Sequence, residues 1–131
     1  PVDAATTAGV SKTTVVPQGL VGYWTFDGKN MTNATATDAS GNGNNGTLTN
    51  MTRASAATIG KIGQGLKFNG SSSYIDYSSP ATLDLRNNIT MSAWVKLNEL
   101  NRTQVVMSNG MSWPGCCETE NQLGYFWNPG S

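Results

Sequence analysis

ITMSAWVKL (residues 89–97) is the stretch that decides the fold class. Ile89, Met91, Ala93, Val95 and Leu97 alternate with Thr90, Ser92, Trp94 and Lys96. A strict period of two puts one set on each face of an extended strand, so the pattern reads as a half-buried antiparallel strand with Trp94 on the outer side. Working outward, GLVGYWTF (residues 19–26) alternates in the same way, with Gly22, Trp24 and Phe26 on one face and Val21, Tyr23 and Thr25 on the other. GQGLKFNG places Leu66 and Phe68 together, and SYIDY follows it across Asn69-Gly70. Asn-Gly supplies the two positive φ angles of a type I′ turn, so these two runs are expected to form a hairpin. QVVMS, Asn109-Gly110, an irregular segment and LGYFW complete the chain. Gly or Asn interrupts nearly every window long enough for a helix, which makes the fold all-β, a sandwich or barrel of short strands.

At 131 residues the chain has room for one core. Residues 1–18, rich in Ala, Thr and Val with Pro near each end, read as an extended N-terminal segment or linker ahead of a domain over 19–131. Eight basic residues balance eight acidic ones, so no electrostatic surface for nucleic acid or an anionic membrane is expected. The sequence contains no His, which removes Ser-His-Asp, Cys-His and His-ligated zinc chemistry from this chain and leaves carboxylates as the only general acids and bases. No apolar run reaches the roughly 18 to 20 residues of a membrane-spanning helix. The first residue is Pro1, as expected of a trimmed or processed chain.

Four blocks carry a family resemblance: GLVGYWTFDG, TDASGNGNNGTL, GKIGQGLKFNGSSSYIDY and ITMSAWVKL, in that order. Their sequence resembles the laminin G-like domains of prokaryotic surface proteins, within the concanavalin A-like lectin and glucanase superfamily, over residues 19 to about 108. The resemblance implies an antiparallel two-sheet jelly-roll sandwich and an extracellular or cell-surface location. It also implies work as a non-catalytic recognition or adhesion module that meets a glycan or another surface protein. Such domains continue through further strands, whereas this sequence ends at Ser131, so the sandwich is expected to be incomplete at its C-terminus. The alternative is a structural subunit of a filament, pilus or surface layer, with copies of the chain completing each other's sheets.

Residues 38–46, DASGNGNNG, are the densest set of oxygen donors on tight-turn glycines. Calcium takes six to eight oxygens from carboxylates, amides and backbone carbonyls, which makes Asp38, Asn42 and Asn44 the candidate ligands of a structural Ca²⁺. By resemblance Asp27 joins them. The same residues also suit plain turn chemistry, in which Asp and Asn side chains bond nearby backbone.

Cys116 and Cys117 are adjacent, so a strained vicinal disulfide, bridges to other chains and free thiols all stay open. Glu118 and Glu120 resemble the carboxylates of jelly-roll glycosidases, yet Gln122 stands where the proton donor would be, and an amide cannot donate that proton. Trp94, Trp113, Tyr125 and Trp127 offer flat rings on which a sugar face stacks. The N-x-S/T pattern marks Asn30, Asn33, Asn45, Asn50, Asn69, Asn88 and Asn101 as candidate glycosylation positions.

Overall fold

The computed structural model describes residues 18–78, 81–84, 88–101 and 103–109, together with the backbone of 121–125. Seven short strands run through them: β1 (Thr35–Ala36), β2 (Gly46–Thr49), β3 (Ala57–Ile59), β4 (Gln64–Leu66), β5 (Tyr74–Asp76), β6 (Gln104–Asn109) and β7 (Asn121–Tyr125). One helical turn, α1 (Arg53–Ala56), and two 3₁₀ turns, Gly28–Asn30 and Ala81–Leu83, are the only helical elements among the described residues. The chain is all-β, with antiparallel pairing throughout these strands.

The strands form a three-stranded sheet in the order β1-β2-β5 and two hairpins, β3-β4 and β6-β7. β2 shows why its residues choose a strand: Gly46 and Leu48 turn inward and Thr47 outward, the period-two pattern of a sheet with one wet face. Leu48 sits opposite Ile75 of β5, and together with Met31 and Ala36 it forms the buried cluster. Trp24, Phe26, Met51, Leu66 and Ile75 pack around that cluster. A side chain at Gly46 would run into Ile75 and Tyr77 of the neighbouring strand segment, so β2 needs a bare Cα where β5 pairs with it.

Three sequence expectations are corrected. The Asn69-Gly70 hairpin is not made. β4 pairs with β3 and β5 pairs with β2, so the chain changes partners between them. The physical reason lies in Asn69, whose Oδ1 accepts the backbone N–H groups of Ser71, Ser72 and Ser73 at 2.9 to 3.0 Å. That side chain closes a wide loop on itself and leaves no two-residue turn to fold back.

Residues 19–26 form no ladder strand. Tyr23 makes two isolated exchanges, its N–H to Asp38 Oδ1 (2.9 Å) and its carbonyl to the N–H of Ala39 (2.7 Å). Phe26 has φ 58°, a left-handed conformation that ends any extended run. Thr25 Oγ1 then accepts from the Asp27 backbone N–H (3.2 Å) and Asn30 Nδ2 (2.8 Å), drawing the chain into the 3₁₀ turn. Trp24 and Phe26 still reach the core.

The third correction concerns ITMSAWVKL itself. Residues 88–101 pair with no strand among the described residues. Ile89, Met91 and Leu97 are half-buried, as the alternation requires, but Ala93 is exposed and Val95 keeps 49% of its surface in water. Period two sets where side chains point. It supplies no neighbouring strand, and burial comes only with one.

Candidate functional site

The glycine-rich loop 38–46 is held by one carboxylate. Gly41 and Gly43 take φ 92° and 76°, values open to glycine, and these fold the loop back over Asp38. Asp38, only 6% exposed, accepts four hydrogen bonds. Its Oδ1 takes the N–H groups of Tyr23 (2.9 Å) and Ser40 (2.8 Å). Its Oδ2 takes the Ser40 hydroxyl (2.7 Å) and the Asn44 N–H (3.1 Å). Burial alone would raise the Asp38 pKa, and it is the largest single influence. The bonds from Ser40, Tyr23 and Asn44 together outweigh it, so the carboxyl titrates below its ordinary 3.8.

The amides around it are committed as well. Asn44 Nδ2 donates to the Val21 carbonyl (2.7 Å), and its Oδ1 accepts from Thr82 Oγ1 (2.6 Å). Asn42 Nδ2 donates to the Leu20 carbonyl (2.8 Å). Trp24 Nε1 donates to the Asn44 carbonyl (2.8 Å), and the Trp24 ring packs on Tyr77 with centroids 4.4 Å apart. Burial, and then the charge of Asp38, holds the Tyr77 hydroxyl well above the ordinary tyrosine pKa. Asp27 is apart from this network: its Oδ1 accepts the Gln64 N–H (2.9 Å) and steadies the β3-β4 hairpin.

In the metal-free arrangement the candidate calcium ligands of the loop are engaged within the protein. A carboxylate has about four lone-pair positions, and all those of Asp38 face hydrogen-bond donors. Asn42 and Asn44 aim N–H groups at the backbone carbonyls that a cation would want. Among the described residues no three of His, Cys, Asp and Glu come together. Melting curves taken in millimolar calcium and in chelator are therefore expected to superimpose; a rise of several degrees with calcium would show that the ion rebuilds the loop.

Trp94 is 75% exposed, with Lys61 Nζ 6.0 Å from its ring centroid. It is the one candidate sugar-stacking residue whose side chain is described. Tyr125 belongs to β7, and Trp113, Trp127, Cys116, Cys117, Glu118 and Glu120 lie outside the described residues.

The candidate glycosylation asparagines divide by their bonds. Asn30 Nδ2 is used by Thr25, Asn50 Nδ2 by the Ser72 carbonyl, and Asn69 Nδ2 by Ser72 Oγ. Asn33 and Asn45 use Oδ1, toward the N–H groups of Ala54 and Asp38. Asn88 and Asn101 are exposed.

One feature escapes any reading of the sequence. The Lys67 N–H donates to the Ala56 carbonyl (2.8 Å), which brings the end of β4 against α1. Between them and the 69–73 loop opens a groove of about 280 Å³ that includes Asn50, Met51, Lys67 and Phe68. Phe68, which the sequence places with Leu66, is 41% exposed there and is not part of the Leu48 cluster. No spacing rule joins residues 50–56 to 67–73.

No helix among the described residues is long and apolar enough to cross a membrane. In comparisons with family models, curated proteins and solved structures, the chain matches none.

Proposed function

We propose that this chain is a non-catalytic recognition or adhesion module of a larger extracellular surface protein, its strands belonging to a laminin G-like jelly roll. The observation that carries the reading is Trp94: a large flat ring left in water beside a lysine, on a segment whose neighbours Val95 and Lys96 are exposed too. Exposing an indole forgoes roughly 2 kcal/mol or more of burial, and a ring with an apolar face and a polar edge is suited to a sugar or a protein surface. The antiparallel strands, the half-wet sheet and the four sequence blocks agree with the jelly roll. A glycan array probed with the wild-type chain and Trp94→Ala tests it. Wild-type binding to one class of glycan and a loss of about tenfold in the variant are expected; an array blank for both proteins ends the sugar reading.

A second reading has its own support. Ile59, Ile62, Val95, Val105 and Val106 are all exposed, and residues 88–101 have no partner strand among the described residues. An apolar surface of this kind beside an extended segment suits a structural subunit whose sheets are completed by copies of itself. Light scattering on the purified chain separates the two: a monodisperse monomer favours the module, and concentration-dependent assembly favours the subunit.

A further inference from the structure

We propose that the end of the β3-β4 hairpin, residues 59–63, is a lipid-insertion tip that seats Ile59 and Ile62 in the interfacial layer of an electrically neutral bilayer, with Trp94 at headgroup level. Ile59 and Ile62 take no part in the sugar contact assigned to Trp94, so the tip is a second contact surface.

The hairpin stands clear of the buried cluster. All three residues of β3 are exposed, so neither face of that strand is covered. Its turn is closed by the Gly60 N–H donating to the Gly63 carbonyl (3.0 Å), with Gly63 at φ 63°. Among the described residues the three most exposed large apolar side chains are Ile59 (92%), Ile62 (75%) and Trp94 (75%). They come from two segments but meet at one place, because Lys61 Nζ lies 6.0 Å from the Trp94 ring centroid. The base of the hairpin is held by Asp27 Oδ1, which accepts the Gln64 N–H (2.9 Å), and by the Ala56 carbonyl, which accepts the Lys67 N–H (2.8 Å). A tip that is already folded loses little conformational entropy when it docks.

Shape and charge name the partner. Two isoleucines and an indole on a convex turn offer some hundreds of Å², short of the roughly 800 Å² per partner that a specific protein interface takes. A bilayer needs no matching surface, since headgroups and acyl chains close around whatever enters the boundary. Aliphatic side chains at the point, a tryptophan beside them, and a lysine whose stem can lie along apolar groups while its ammonium stays hydrated are the residues that suit this boundary. Charge then selects the kind of lipid. The chain as a whole is neutral, and at the turn Lys61 is matched by Asp27, whose carboxylate lies against Gly63. Zwitterionic headgroups fit such a tip, and it has no excess of positive charge to draw anionic ones.

The test is co-sedimentation of the whole chain with phosphatidylcholine vesicles. Wild type, Ile59→Ser, Ile62→Ser, the double serine variant and Trp94→Phe are compared, each checked by its melting curve. Wild type should partition onto the vesicles with little change in salt between about 0.05 and 0.5 M, because apolar contacts are not screened. Each single serine variant should lower the partition coefficient about tenfold, and the double variant about a hundredfold. Tryptophan emission of wild type should move to the blue when vesicles are added, and Trp94→Phe should lose that shift. Both isoleucines are exposed, so serine there leaves the fold intact. Binding that is equal in wild type and the double variant, or confined to anionic vesicles at low salt, overturns the assignment. Wild type that ignores vesicles overturns it too, and leaves the Trp94 sugar contact to be decided by the glycan array. Self-association of wild type that is abolished in the double variant, without vesicle binding, puts a second copy of the chain on the tip in place of lipid.

Discussion

Asp38→Ala is expected to cost about 3 to 5 kcal/mol, the largest effect of any single side chain outside the apolar cluster. The carboxylate satisfies three backbone N–H groups and one hydroxyl. Ser40 Oγ can turn toward other acceptors, whereas the N–H groups of Tyr23, Ser40 and Asn44 are fixed by the backbone. Leaving a buried donor unpaired costs roughly 1 to 3 kcal/mol, and Asn44 is itself buried. Chemical denaturation of wild type and variant measures the difference; a change under 1 kcal/mol would mean that the loop does not depend on this carboxylate. Asp38→Asn, which keeps one acceptor oxygen, should fall between the two.

The same residue sets an acid dependence. Its native pKa lies below 3.8, so the folded state binds the proton less well than the unfolded chain. The stabilisation is complete above the unfolded value and is lost as pH falls through the native one. Wild type should therefore lose stability below about pH 4 by more than Asp38→Asn does. Tyr77, whose pKa moves upward, stays neutral across the same range and contributes nothing to that slope.

Leu48→Ala is the second large effect. Leu48 is 6% exposed and is the largest aliphatic side chain in a cluster otherwise made of Met31 and Ala36. Truncating a buried Leu typically costs 2 to 5 kcal/mol through lost transfer energy and the cavity left behind. The upper part of that range applies here, because Ile75 opposite and Gly46 beside it are held by strand pairing and cannot collapse into the space. Against a total stability of roughly 5 to 15 kcal/mol, such a loss lowers the melting temperature by about 10 °C or more. Ile59→Ala, at an exposed position on β3, is the control and should change stability by less than about 0.5 kcal/mol. Equal shifts in the two variants would show that the cluster around Leu48 is not the core.

The sequence by itself determined the class of the fold and the anchor of its main loop. Dense Gly and Asn rule out long helices locally, by backbone entropy and turn preference, so all-β follows without any tertiary contact. Asp38 could be singled out because a carboxylate among Asn, Ser and Gly must accept from something nearby. Which groups surround it could not be: Tyr23, fifteen residues away, and Asn44 donate their N–H groups to it.

Strand partners were decided only by the tertiary structure. Asn69-Gly70 supports a tight hairpin locally, yet the Asn69 side chain found three serine amides and closed a wider loop. β4 then went to β3 and β5 to β2, and Phe68 stays exposed in the groove beside α1. ITMSAWVKL shows the other side of the same principle. Its alternation fixes two faces, but burial of either face requires a second surface, and Ala93 and Val95 stay exposed. Periodicity is a property of one segment, encoded by neighbours along the chain; pairing and burial are properties of two, and depend on which contacts across the chain win.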